Sequence, residues 1–113
     1  MADYTQEIVR RWGETGADTG GGGVTVTHTA VASQAHTVTS IQASGDTSAI
    51  VTVESPAATV LWQKRYGGAF TMSEVFPPGT VVGPVSQDIL IKVSAAPSNA
   101  EANFQGFSVL ATS

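Results

Sequence analysis

Residues branched at Cβ dominate this sequence. Threonine and valine each occur 14 times, against three leucines and two lysines. Branching at Cβ restricts χ1 in a helix, whereas it suits the pleated, half-buried surface of a strand. The composition therefore predicts an all-β fold, and 113 residues are enough for one domain with one modest core.

Short strand-like runs follow one another from Val24 onward, separated by turn signals. Valine and threonine alternate at the start of the first run, and Gly67-Gly68 joins two later runs as a hairpin. About eight strands at this spacing predict a β-sandwich or a jelly-roll-like barrel. The predicted strands are 24–32, 35–43, 48–54, 59–66, 69–76, 80–82, 89–95 and 102–111.

The N-terminal segment differs from the rest. Tyr4, Ile8 and Trp12 recur every four residues, which places them on one face of a short helix that Asp3 could cap. Such a helix is too short to be stable alone, so it needs a surface to lie against. The expected partner-binding residues of this arm are Ile8, Val9, Arg10, Arg11 and Trp12.

Glycine is concentrated directly after this arm. Six glycines fall between residues 13 and 23, and a glycine-rich stretch costs much entropy to order. We therefore expect an N-terminal arm and leash over 1–23 and a β-sandwich domain over 24–113. The alternatives are a disordered start with a chance tryptophan, or an arm folded back on its own domain.

Charge is sparse, at 12% of residues with a net charge of −4. Five basic residues do not form the cluster that binds phosphates, so a nucleic-acid partner is not expected. No apolar run reaches the length of a membrane span, and charged residues near the start predict a chain made in the cytoplasm without a signal peptide. A surface with so few charged side chains favours contact with a partner.

Three patterns touch on catalysis, and each has a structural alternative. Asp18-Thr19-Gly20 is the triplet of aspartic proteases, but it lies among glycines, where a rigid paired carboxylate is not expected. His28 and His36 are the two histidines, too few ligands for a zinc site, and we expect them on strands, partly exposed and facing each other. The carboxylates that could form an acid–base pair are Glu54, Glu74 and Asp88, which are expected to lie at solvated strand ends.

One predicted hairpin combines aromatic and basic side chains. Exposed, these residues could bind a sugar ring; buried, the aromatic ones are core and Lys64 reaches past them to water, which is the favoured interpretation. The residues concerned are Trp62, Lys64, Arg65, Tyr66 and Phe70.

The region from Thr37 to Phe107 resembles the small β-sandwich virion proteins of tailed bacteriophages, especially head decoration (cement) proteins. The resemblance lies in the order and texture of the segments 56–66 (PAATVLWQKRY), 77–80 (PPGT), 83–84 (GP) and 90–95 (LIKVSA). It implies a homotrimer on the outer face of the capsid, in contact with the major capsid protein, with no contact residue identified by motif.

The expected function is therefore a non-catalytic structural protein that oligomerises and stabilises a phage capsid from outside, without a cofactor. It would be made in the host cytoplasm and reside in the virion. A shell can be stabilised by binding its assembled state preferentially, which requires no reacting group. The alternatives are a carbohydrate-binding module or tail-fibre domain, and a dimeric aspartic protease that uses Asp18.

Overall fold

The structure is a computed structural model that describes residues 8–110, with side chains from Arg10 onward. This part of the chain contains nine strands and no helix, so the all-β prediction is confirmed. None of its segments is a helix long and apolar enough to cross a membrane. The strands are β1 (Ile8–Asp18), β2 (Val24–His28), β3 (Gln34–Gly45), β4 (Ala49–Glu54), β5 (Val60–Tyr66), β6 (Phe70–Val75), β7 (Val81–Val82), β8 (Ile89–Val93) and β9 (Ala100–Leu110).

The strands form two antiparallel sheets packed face to face. The first sheet has the order β1-β9-β3-β6, with the short β7 also paired to β3, and the second has the order β2-β8-β4-β5. Apart from β7, this is the strand order of an eight-stranded jelly roll. The predicted sandwich with jelly-roll character is confirmed.

The core lies between the sheets and follows from the alternation of side chains along each strand. On β2, Val24 and Val26 are buried while Thr25 and Thr27 are exposed, as the period of two requires. Each fully buried side chain of this size contributes about 1.5–3 kcal/mol to stability. The largest apolar side chains that are almost completely buried are Phe104, Ile41, Ile89, Ile91, Val38, Val51, Val53 and Val93.

The predicted N-terminal helix is wrong for residues 8–12, because the chain from Ile8 to Asp18 is strand β1. β1 pairs antiparallel with β9, from Arg10 opposite Ser108 to Asp18 opposite Ala100. Pairing with β9 satisfies backbone groups of this segment, whereas an isolated helix of this length is only marginally stable in water. Residues 1–7 of the predicted helix and the side chains of Ile8 and Val9 lie outside the described residues.

The predicted leash is wrong for residues 13–18, which belong to β1, and only residues 19–23 form a connection between strands. Asp18 accepts hydrogen bonds from the N–H groups of Gly20 (3.1 Å) and Gly22 (3.0 Å), which closes a turn between β1 and β2. Gly21 and Gly23 have φ values of 81° and 79°, a conformation that favours glycine. The first sheet therefore contains residues 8–18, which the sequence had assigned to the arm and leash.

Candidate functional site

A cluster of polar and aromatic side chains lies between the sheets near one end of the sandwich. It consists of Trp12, Glu14, His28, His36 and Ser108, and is called the histidine cluster below. Four different strands supply it: β1, β2, β3 and β9. The strand order places them together, because β9 lies between β1 and β3 in the first sheet while β2 faces them from the second.

The two histidines face each other across the interior. Their ring centroids are 4.5 Å apart at an interplanar angle of 68°, an edge-to-face contact. His36 is completely buried, whereas 13% of the His28 side chain is exposed. The expectation that the histidines face each other agrees with this geometry, but the expected partial exposure is wrong for His36, because the opposite sheet covers it.

Hydrogen bonds fix the protonation of His36. Its Nε2 lies 3.0 Å from the carbonyl oxygen of Thr29, which can only accept, so Nε2 carries the proton. The unprotonated Nδ1 then accepts a hydrogen bond from the hydroxyl of Ser108 at 2.6 Å. The neutral ring is thus fully satisfied in a buried position.

Burial lowers the pKa of His36 from its ordinary value of 6.5, because a charged ring would lose its hydration. The hydrogen bond to Thr29 opposes this shift, the nearby His28 adds to it, and the negative charge of Asp88 opposes it. The net effect keeps His36 uncharged at neutral pH.

Trp12 and Glu14 hold His28 from β1. The indole of Trp12 is stacked on the His28 ring at 4.1 Å, with an interplanar angle of 12°. The Nδ1 of His28 donates to Oε2 of Glu14 at 2.8 Å. The Nε1 of Trp12 is buried without a hydrogen-bond partner, which is an unfavourable feature of the cluster.

Two of the residues suspected of catalysis, Asp18 and Asp88, have structural partners. Asp18 closes the turn after β1, and Asp88 accepts a hydrogen bond from the N–H of Ala30 at 2.6 Å. Glu74 lies on β6 opposite Ile41 of β3. Residues 8–110 contain no group of three or more His, Asp or Glu side chains arranged to hold a metal ion.

Glu54 is a buried carboxylate rather than a solvated one. It accepts hydrogen bonds from the Ala58 N–H (2.7 Å) and the Thr52 hydroxyl (3.0 Å), and it lies 3.6 Å from the Lys92 ammonium. Burial would raise the pKa of Glu54, but these hydrogen bonds and the lysine charge outweigh burial and lower the pKa below its ordinary value of 4.5. Its role is to fix the turn between β4 and β5.

A group of exposed apolar side chains lies at the end of the sandwich where β2 ends and β3 begins. Val31, Val85 and Leu110 are 38%, 45% and 41% exposed, and they are called the end patch below. Leu110 is opposite Gln34 on β3. Hydrogen bonds join the two loops that carry the valines, from the Ser33 N–H to the Ser86 hydroxyl and from the Ser86 N–H to the Gln34 carbonyl, each at 2.9 Å.

A second surface feature lies at the opposite end, on the second sheet. A groove of about 510 Å³, called the Tyr66 groove below, combines an aromatic ring, a guanidinium and serine side chains. The Tyr66 ring stacks on Phe70 at 4.5 Å, and the Lys64 ammonium lies 5.5 Å from the centre of the Tyr66 ring. The lining residues are Ser48, Ala49, Ile50, Arg65, Tyr66, Gly67, Ser94, Ala95 and Ala96.

The aromatic residues of the predicted hairpin are mainly structural. Trp62, Tyr66 and Phe70 are partly buried and pack against the core, while Lys64 is exposed. Trp62 also meets Phe76 edge to face at 5.6 Å. The favoured interpretation of these residues as core agrees with this packing, with Tyr66 also reaching the groove.

The structure places the predicted partner-binding residues in different environments. Arg10 and Arg11 are exposed on β1 and remain available to a partner. Trp12 is only 9% exposed and belongs to the core, so it does not present its ring at the surface. The side chains of Ile8 and Val9 are outside the described residues.

Sequence reasoning missed the contributions of Glu14 and Ser108 to the histidine cluster. A weak signal was present on β1, where Trp12, Glu14 and Gly16 alternate with exposed positions as the strand period requires. Ser108 gave no such signal, because its partner His36 is 72 residues away in the sequence.

No family model and no curated protein matches this chain. Among solved structures, it is similar to the CBM36-1 domain of a multidomain xylanase from the hindgut metagenome of Trinervitermes trinervoides. The TM-score is 0.37 and the identity 15%, over 86% of this chain and 77% of that chain. Similarity at this level says nothing about binding or activity.

Proposed function

We propose that this chain is a non-catalytic structural protein that attaches to a larger protein assembly through the end patch. The observation that supports this most is the concentration of exposed apolar side chains. Of five large apolar residues exposed in the described part of the chain, three (Val31, Val85 and Leu110) belong to neighbouring segments at one end. Clustered apolar surface marks interaction sites, whereas single exposed apolar residues need no explanation.

The end patch is also held in place before any partner binds. Besides the two hydrogen bonds between its loops, the Gln34 N–H donates to the Val31 carbonyl at 3.1 Å, which closes the turn before β3. A backbone that is already ordered loses less conformational entropy on association. A small, preformed apolar surface therefore suits a role in which many copies each make a modest contact.

The sequence resemblance suggests the assembly, which is the outer face of a tailed-bacteriophage capsid. In this proposal the chain acts as a homotrimer in the virion and contacts the major capsid protein. Jelly rolls occur in viral capsid proteins and in lectins, so the fold is compatible with this role without deciding it. Binding only to the assembled shell would stabilise that shell by mass action.

Adding two negative charges to the end patch is expected to weaken capsid binding at least about tenfold. The double variant Val31→Asp, Val85→Asp replaces apolar contacts with carboxylates that must be desolvated, which costs well over the roughly 1.4 kcal/mol that a tenfold change requires. Both sites are exposed, so the fold should persist. Binding is measured by co-sedimentation with purified tailed-phage capsids, and the oligomeric state by light scattering.

The matched control carries the same charge change at the opposite end, as Thr47→Asp with Ser98→Asp. Both positions are exposed in loops, so this control should bind as the unmodified chain does. Equal binding by both double variants, or no binding by the unmodified chain, would contradict the proposal.

A second candidate function is saccharide binding, and the observation in its favour is the Tyr66 groove. Its aromatic ring can contact the C–H face of a sugar, while Arg65, Ser48 and Ser94 offer polar groups around it. One face of Tyr66 is already covered by Phe70, so only the other face and the edge are open to a ligand.

If a neutral oligosaccharide binds here, Arg65→Ala is expected to weaken binding about tenfold or more, because a hydrogen bond from a charged group contributes about 1.5–3 kcal/mol. Ligands are found on a glycan array and their affinities measured by calorimetry. Arg10→Ala is the control, since Arg10 is exposed on β1, a strand of the other sheet. Absence of binding at millimolar saccharide, or equal affinity in both variants, would exclude this function.

A further inference from the structure

We propose that His28 and His36 form a pH-sensitive latch that holds β1 against the second sheet and loosens this packing in mild acid. The latch is a property of the fold itself and does not depend on which partner the end patch binds. It rests on three observations: the contact between the rings, the hydrogen bonds of His36 and the position of Trp12.

In its neutral state, His36 has a hydrogen-bond partner at each ring nitrogen. One nitrogen donates to the Thr29 carbonyl and the other accepts from the Ser108 hydroxyl, and the side chain has no exposed surface. A second proton on Nδ1 would point at Ser108, so the hydroxyl would have to turn and accept instead of donate. The ring would then carry a buried positive charge.

No carboxylate of the described residues forms a hydrogen bond with His36 to balance such a charge. Asp88, in the loop before β8, accepts from the Ala30 N–H and can offer only longer-range attraction. Ser108 on β9 is uncharged. The ionisable group on β2 is His28, whose ring lies 4.5 Å from that of His36 and which would repel it when both are charged.

The two histidines are therefore not equivalent. A positive charge on His28 has the Glu14 carboxylate beside it at 2.8 Å and is partly exposed to water. A positive charge on His36 has neither advantage. Acid thus places on His36 a charge that no contact balances and that the neighbouring His28 disfavours.

Trp12 links this contact to β1. It is the residue of β1 that belongs to the hydrophobic core. It stacks on His28 and meets His36 edge to face, with 6.0 Å between the ring centroids. Its buried Nε1 has no hydrogen-bond partner, so packing alone holds the indole in place, through these ring contacts, the contact with Phe104 and the surrounding core. Charging His36 weakens the packing of β1 on β2, so that β1 is held mainly by its backbone pairing with β9 and this pairing opens more often.

The direction of the pH effect follows from the lowered pKa of His36. The unfolded chain takes up this proton near the ordinary value of 6.5, while the folded chain takes it up only at lower pH. The contribution of His36 to stability is therefore fully present above pH 6.5, and it decreases as the pH falls from 6.5 towards the pKa of His36 in the folded chain. One such group raises the unfolding equilibrium constant by at most about tenfold per pH unit.

Carboxylates affect stability over a different pH range from histidine. The pKa of Glu54 is held below 4.5 by its hydrogen bonds, despite its burial, and its contribution to stability is present above 4.5 and lost as the pH falls through the folded-state value. A change between about pH 7 and pH 5 therefore reports on histidine rather than on the carboxylates.

The test uses the full chain with Trp62→Phe, so that Trp12 is the remaining tryptophan. Between pH 8 and pH 5 we expect its emission maximum to move to longer wavelength. We also expect the protection factors of the β1 amides, which compare each exchange rate with the intrinsic rate at the same pH, to fall about tenfold, within the one-proton limit. Amides of β4 and β8 in the second sheet should keep their protection. The exchange measurement is repeated on the unmodified chain.

Two variants separate the latch from general acid sensitivity. His36→Gln retains an N–H donor and an acceptor without titrating, and His28→Gln removes the repelling charge at a partly exposed site. Each is expected to reduce the pH dependence of both signals by at least half. The proposal is overturned if both signals are flat from pH 8 to pH 5, or if either folded variant keeps the full pH dependence.

Discussion

Trp12→Ala is expected to lower the free energy of unfolding by about 3–5 kcal/mol, the range for truncating a large buried aromatic side chain. Trp12 is 9% exposed and makes ring contacts with His28, His36 and Phe104. Its removal leaves a cavity at the point where β1 meets the second sheet. Urea unfolding followed by far-ultraviolet circular dichroism measures the loss.

Trp62→Ala is the matched control, since it removes the same side chain from a half-buried site on the edge strand β5. Its loss should be clearly smaller, because less apolar surface returns to water. If Trp12→Ala kept full stability but no longer bound the proposed capsid partner, Trp12 would be a partner-binding residue, as the sequence suggested, and its place in the core would be wrong.

The interpretation of Trp12 shows where sequence patterns reach their limit. Tyr4, Ile8 and Trp12 are four residues apart, and four is close to one helical turn but is also an even number. The same spacing therefore places side chains on one face of a strand. The Cβ-branched runs from Val24 onward carried no such ambiguity, which is why the later strands were predicted close to their observed positions.

The prediction of a flexible leash from the glycines of the N-terminal segment was wrong over residues 13–18 for a second reason. At Gly16 a Cβ atom would lie 2.8 Å from Cγ2 of Val26, so the absence of a side chain permits close approach of β1 to β2. Sequence alone cannot distinguish a glycine required for close packing from one in a flexible linker. Only Gly21 and Gly23 show the positive φ angles expected of a turn.

The histidine cluster and the end patch depend on contacts between distant parts of the chain. His36 and Ser108 are 72 residues apart, and Ser33 and Ser86 are 53 apart. Period-two alternation predicts which face of a strand is buried, but it does not predict which strands become neighbours. The facing histidines could be anticipated as a possibility, whereas their partners required the strand order.

Gly106→Ala is the substitution expected to affect the sheet itself most strongly. A Cβ atom at Gly106 would overlap the backbone carbonyl oxygen of Thr37 on β3 and would lie 2.8 Å from Cζ2 of Trp12. β9 is paired on both sides, with β1 and with β3, so it cannot shift away without breaking a ladder. We expect a loss of about 3 kcal/mol or more, at or above the upper end for overpacking a core.

Gly13→Ala is the control for this substitution, since Gly13 lies on the adjacent strand and its nearest neighbour would be Cγ of Gln105 at an ordinary 3.5 Å. Its effect should stay within about 1 kcal/mol, because alanine in a strand removes no contact and adds no clash. The double variant Trp12→Ala, Gly106→Ala distinguishes the two clashes. Because the Thr37 carbonyl belongs to the backbone, removing the indole should not restore stability, and a double variant more stable than Trp12→Ala alone would show that β9 has room to move.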